Sequence, residues 1–154
     1  MNTVQGDLLK LAEAGEFDVI VHGCNCFNTM GSGIAAQIRK QYPKAYDVDQ
    51  ATSKGDLNKL GTFTQASTNK FVIINAYTQF GFNTPGLKDD VFEYTAFALI
   101  LEKLGRLWPG RRFGFPLIGC GLAGGDKARI MLLLNDFSEF VSHVGGTVTV
   151  VEFI

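Results

Sequence analysis

The chain has 154 residues, 46% hydrophobic and 19% charged, with 14 Lys plus Arg against 15 Asp plus Glu and a formal net charge of −1. That balance excludes intrinsic disorder, which needs low hydrophobicity and high net charge, and a broadly basic surface for general nucleic-acid binding. The length suits a single domain over 1–154, since two would need about 100 residues each. Cys24, Cys26 and Cys120 make an odd count, which cannot form a full disulfide framework and suits a reducing compartment. Met1 to Asp7 has neither the basic nor the apolar region of a signal peptide. Apolar runs fall well short of the ~20 residues a membrane span needs. A cytoplasmic location with no membrane partner is therefore expected.

In chain order, Asp7 reads as an N-cap before Leu8, Leu11 and Ala12, with Gly15 beyond the end of that helix. Val19–Val21 is a short β-branched run and predicts a strand. Ile34, Ile38 and Tyr42 recur every four residues, with Pro43 as a stop. Phe71–Asn75 predicts a second strand. Phe92, Ala96, Leu99, Ile100 and Leu104 follow helical spacing, and Asp89 and Asp90 favour a helix start. Phe113–Ile118 predicts a third strand, and Arg111 and Arg112 before it read as a solvated charge pair. Ile130, Leu133, Leu134, Phe137 and Val141 form another helical stripe, closed by Gly145 and Gly146. Thr147–Phe153 is again β-branched. Strands alternating with helices predict an α/β sandwich around a central sheet.

Two segments carry the chemistry. The 18 glycines exceed the usual ~7% share, and many fall in two strand-to-helix loops. The first runs from His22 through Gly23, Cys24, Asn25 and Cys26 to Gly31, Ser32, Gly33 and Ile34. The second runs from Pro116 through Gly119, Cys120, Gly121 and Leu122 to Asp126. A Gly-Ser-Gly segment opening a helix offers free amides and the positive end of the dipole, which suits phosphate. Two such loops can clamp both sides of a diphosphate. Neither a GxGxxG fingerprint nor a GxxxxGK[ST] loop is present.

These residues resemble a known family. Gly6-Asp7-Leu8, Val19-Ile20-Val21-His22-Gly23-Cys24-Asn25, Gly31-Ser32-Gly33-Ile34-Ala35, Ile118-Gly119-Cys120-Gly121-Leu122 and the last strand together look like a macro domain. They look most like its fungal and phage branch, which includes ADP-ribose 1''-phosphate phosphatases. The resemblance implies a three-layer α/β/α sandwich with a mixed, mostly parallel six-stranded sheet and an ADP-ribose cleft at the strand ends. It implies that Asp7, beside Leu8, accepts the adenine amino group and that Asn25 contacts the distal ribose. Gly31, Ser32, Gly33 and Ile34 would flank the distal ribose and diphosphate. The amides of Gly119, Cys120, Gly121 and Leu122 would hold the diphosphate, and Phe153 would wall the adenine.

Departures from the family are equally specific. Ile34, Ala35 and Ala36 stand where many macro-domain ADP-ribosyl hydrolases carry a catalytic Asp. Ala123 stands where another hydrolase branch has one, and its Lys counterpart is not evident between Asn75 and Gly81. The zinc-dependent branch needs a Cys/His set not seen here. Cys24 and Cys26 lack a second pair for a metal, so neither metal nor cofactor is expected.

The expected function is removal of phosphate from ADP-ribose 1''-phosphate. Asn25 would orient the ribose, and His22 or Asp126 would move the proton. His22 has the ordinary pKa for this, but a strand-end His is also inert when its ring is bonded. Asp126 can equally cap the next helix. Two alternatives stand beside it. One is hydrolysis of ADP-ribose from modified macromolecules. The other is a reader that binds ADP-ribose or an ADP-ribosylated partner without turnover.

Overall fold

The computed structural model describes residues 1–83 and 89–153. The elements run β1 (Asn2–Gln5), α1 (Leu8–Glu13), β2 (Val19–Cys24), α2 (Gly33–Gln41), α3 (Pro43–Gln50), β3 (Phe63–Ser67), β4 (Val72–Tyr77), α4 (Tyr94–Leu107), β5 (Arg112–Phe115), α5 (Lys127–His143) and β6 (Thr147–Glu152), with one 3-10 turn at Leu57–Lys59. The six strands form one sheet in the order β1-β6-β5-β2-β4-β3. Among the described strands only β3 runs antiparallel to its neighbour, so the sheet is mixed and mostly parallel.

Strand alternation assigns the two faces. Val19 and Val21 of β2 and Ile74 and Ala76 of β4 meet Phe97, Ile100 and Leu104 of α4 and Ile130, Leu134 and Phe137 of α5. Ile20, Cys24, Ile73 and Tyr77 turn the other way, onto Leu8, Leu9 and Ala12 of α1, Ile38 of α2 and Ala45 of α3. This is the three-layer α/β/α sandwich. Strands covered on both faces read as continuous apolar runs, and each buried aliphatic or aromatic side chain contributes about 1.5–3 kcal/mol.

Several boundaries differ from the sequence reading. Pro43 does end α2, but it also opens α3 at the first helical position, where its missing N–H costs nothing. The strand expected over Phe113–Ile118 stops at Phe115, before Pro116. The α4 helix begins at Tyr94, and Phe92 instead bridges to Gln79. Arg112 is not a merely solvated charge. Its Nε and Nη2 donate to both oxygens of Asp18 at 3.1 and 2.9 Å, joining the starts of β5 and β2. No described helix is long and apolar enough to cross a membrane.

Candidate functional site

In the order β1-β6-β5-β2-β4-β3, the chain leaves β2 towards β4 and β3 but leaves β5 towards β6. Adjacent parallel strands whose connections depart in opposite directions open a crevice at their carboxyl ends. A cleft of about 490 Å³ lies there, with walls supplied by Asn25 to Ala35 on one side and Pro116 to Ala123 on the other.

The first loop is held from within and from below. Asn25 Oδ1 accepts the Phe27 amide at 2.8 Å, and its Nδ2 donates to Thr29 Oγ1 at 2.7 Å. Asn28 and Met30 both turn through the left-handed region, at φ 59° and 40°. Asn28 is bolted in place: Gln50 Nε2 donates to its carbonyl at 2.6 Å, and buried Lys59 Nζ donates to its Oδ1 at 2.5 Å and to the Cys26 carbonyl at 3.1 Å. These bonds offset a backbone that asparagine tolerates better than most residues. Ser32 caps α2 with its backbone but makes no side-chain capping bond, so the first-turn amides of Gly33, Ile34 and Ala35, which line the cleft, are left without a capping acceptor. Gly33 follows at φ 57°, and a Cβ there would meet no described atom within 4 Å.

The second loop is tied across the cleft. Asn83 Nδ2 donates to the carbonyls of Asp89 and Leu122, both at 2.7 Å. Gly119 sits at φ 74° against the Phe92 ring, where a Cβ would collide. Its carbonyl accepts the Gly125 amide at 2.8 Å. Among the described residues, the amides of Gly119, Gly121, Leu122 and Ala123 meet no protein acceptor, whereas the Cys120 amide donates to Leu117.

The cleft is poor in titratable groups. Among the described residues lining it, only Cys24 and Asp49 carry an ionisable side chain, and no Lys, Arg or His is present. Burial pushes the Cys24 thiol well above its ordinary pKa, and the nearby Asp49 carboxylate adds to this. Asp49 was not singled out by sequence. Its neighbours Asp47 and Gln50 suggest a solvated helix, but it lies four residues after buried Ala45 on the same stripe, which is the signal that marks it. Gln79, Phe82 and Asn83 are further lining residues outside the two glycine loops.

The other expected site residues fall in two groups. Asn25, Gly31, Ser32, Gly33, Ile34, Gly119, Gly121 and Leu122 line the cleft together. His22 does not: it is 1% exposed and its Nε2 bonds Asn75 Oδ1 at 2.6 Å. Both Asn75 amide hydrogens are taken by Ala45 O and Thr64 Oγ1, so Asn75 Oδ1 accepts and His22 carries its proton on Nε2. Burial holds His22 down to about 4, against a smaller upward pull from Asn75. Asp126 Oδ1 accepts the Ala128 and Arg129 amides at the start of α5 and also lies outside the cleft lining. Asp7 does the same for α1 through Oδ1, with Leu8 buried behind it. Phe153 is 74% exposed just past β6. Since β1 and β6 run parallel to β5 and β2, Asp7 and Phe153 stand at the same sheet edge as the cleft, towards its β1 end.

No protein-family model matches the chain. It is 35% identical over 145 residues to an uncharacterized 17.5 kDa protein of Enterobacteria phage T4 from the tk-vs intergenic region, covering 88% of each. It is 32% identical over 101 residues to the ADP-ribose 1''-phosphate phosphatase of Saccharomyces cerevisiae, a match over 62% of this chain and 56% of that one. A solved macrodomain of Trypanosoma brucei in complex with ADP superposes with a TM-score of 0.72 at 15% identity, over 99% of this chain and 63% of that chain. The chain belongs to one family with the phage T4 protein and has the macro domain fold.

Proposed function

We propose that the cleft binds ADP-ribose and that the protein releases phosphate from ADP-ribose 1''-phosphate. The observation that carries the binding half is the set of unclaimed amides on two facing loops at the switch point, with no cation among the described lining residues. Such a site neutralises a diphosphate by dipoles and N–H groups. The ADP held by the T. brucei macrodomain agrees with a diphosphate ligand. The activity half draws on the likeness to the yeast phosphatase, of which the match takes in little more than half.

In this reading the ligand lies along the carboxyl edge of the sheet. Adenine sits at the β1 end, where Asp7 keeps Oδ2 free of the cap for the amino group and Phe153 offers its ring face. The diphosphate lies between the loops, and the distal ribose lies by Asn25. His22 and Asp126 hold structure rather than protons: one is buried and neutral, the other caps a helix. Calorimetry with ADP-ribose tests binding, and phosphate release from ADP-ribose 1''-phosphate tests turnover. Binding without turnover would leave a reader, and release of ADP-ribose from modified macromolecules without phosphate release would make the protein an ADP-ribosyl hydrolase.

A further inference from the structure

Both loops supply backbone, yet hydrolysis also needs a group that can take a proton at neutral pH. Asp49, on the last turn of α3, is the only charged side chain among the described residues lining the cleft, and it is 1% exposed. A directed chain of donors leads to it. His22 Nε2–H bonds Asn75, Asn75 Nδ2 donates to Thr64 Oγ1 at 3.0 Å, Thr64 reaches the Tyr77 hydroxyl at 3.1 Å, and Tyr77 donates to Asp49 Oδ1 at 2.7 Å. Thr64 accepts from Asn75 and Tyr77 donates to the carboxylate, so every proton in the chain points towards Asp49. The chain fixes Oδ1. Among the described residues Oδ2 meets only the Gln50 amide, at a long 3.5 Å, and Asp49 lines the cleft.

A carboxylate beside an anion site cannot touch phosphate oxygens directly, because like charges repel. Water can stand between them, donating to the carboxylate while its oxygen faces phosphorus. We propose that Asp49 is the catalytic base of phosphate release, a role that rests on the phosphatase reading above. The water oxygen bonds to phosphorus as the phosphorus–O1'' bond breaks and its electron pair passes to O1''. Asp49 takes one water proton, which ends on O1''. One water is consumed, and ADP-ribose and inorganic phosphate leave.

The test compares the wild type with Asp49→Asn and Tyr77→Phe. Asparagine keeps the shape and an acceptor for Tyr77 but cannot take the proton. Asp49→Asn should lower kcat for ADP-ribose 1''-phosphate by ~10²–10⁴-fold and abolish the acid limb of the kcat–pH profile, while ADP-ribose affinity by calorimetry stays within about threefold. Tyr77→Phe keeps the carboxylate but removes a donor to its charged form, so the acid limb should move to higher pH. Near-normal turnover in Asp49→Asn, an equal loss of affinity and turnover, or an unmoved acid limb in Tyr77→Phe would each remove Asp49 as the base. A wild type that binds ADP-ribose but releases no phosphate would instead overturn the phosphatase reading itself, and the role of Asp49 with it.

Discussion

His22 shows how one buried ring sets an acid limit on the fold. In the unfolded chain its pKa is ordinary, near 6.5; in the fold it is held down to about 4 by burial. Between these values the unfolded state binds more protons, so stability is full above about 6.5 and falls as pH drops towards 4. The total effect is about 3 kcal/mol at ~1.4 kcal/mol per pH unit. Urea denaturation from pH 7 to pH 4 should show this slope, and His22→Gln should flatten it. An unchanged slope in the variant would place the acid sensitivity elsewhere. Gly33 shows the other kind of residue effect. Gly33→Val forces a β-branched side chain into the left-handed region at φ 57°, costing roughly 1–3 kcal/mol, and projects it into the cleft. Calorimetry should find no ADP-ribose binding in a variant whose circular dichroism is still native. At this scale the two loops that line the cleft are legible in the sequence, because glycines in strand-to-helix turns announce themselves. For His22 and Asp126 the sequence leaves a structural and a chemical role side by side, because the burial of the one and the bonds of the other depend on residues distant in the chain.

At the scale of elements, the second loop separates glycines of two kinds. Gly119 has positive φ and a ring pressed against it, whereas Gly121 has no neighbour among the described residues within 4 Å of where a Cβ would stand. Gly119→Ala should therefore lose roughly 2–4 kcal/mol of stability from strain and overpacking. Gly121→Ala should melt like wild type yet bind ADP-ribose at least ~10-fold more weakly, since its methyl group would crowd the amide site. Equal melting of the two variants would refute this division. Asn83→Ala would untie the Leu122 carbonyl and should weaken binding by ~5–30-fold, the effect of about 1–2 kcal/mol; an unchanged dissociation constant would show that the loop holds its shape without the tie. The long helices and β2 were legible because their periodicity is clean. The β1 and β3 strands were not, because β1 is exposed at all four positions and β3 alternates weakly at the sheet edge. The α3 helix was hidden by Pro43, which reads as an end until the fold makes it a beginning.

At the scale of the molecule, the arrangement of strands, not a charge pattern, makes the site. With no Lys or Arg among the described lining residues and a net charge of −1, little long-range attraction acts on an anionic ligand. The dissociation constant for ADP-ribose should change by less than ~3-fold between 0.05 and ~0.5 M NaCl, because amide contacts are short-ranged while only distant charges are screened. A steep salt dependence would point to cations reaching the ligand from outside the described lining. The same strand order bears on how the chain reaches this shape. Among the described strands β1 pairs only with β6, Asn2 lying beside Thr149. Its hydrogen bonds therefore close only after β6, far along the chain, has been made. Such a distant pairing slows folding, and it leaves Val4 and its neighbours as an open edge in the nascent chain. Association with chaperones during synthesis is then expected to last until β6 emerges.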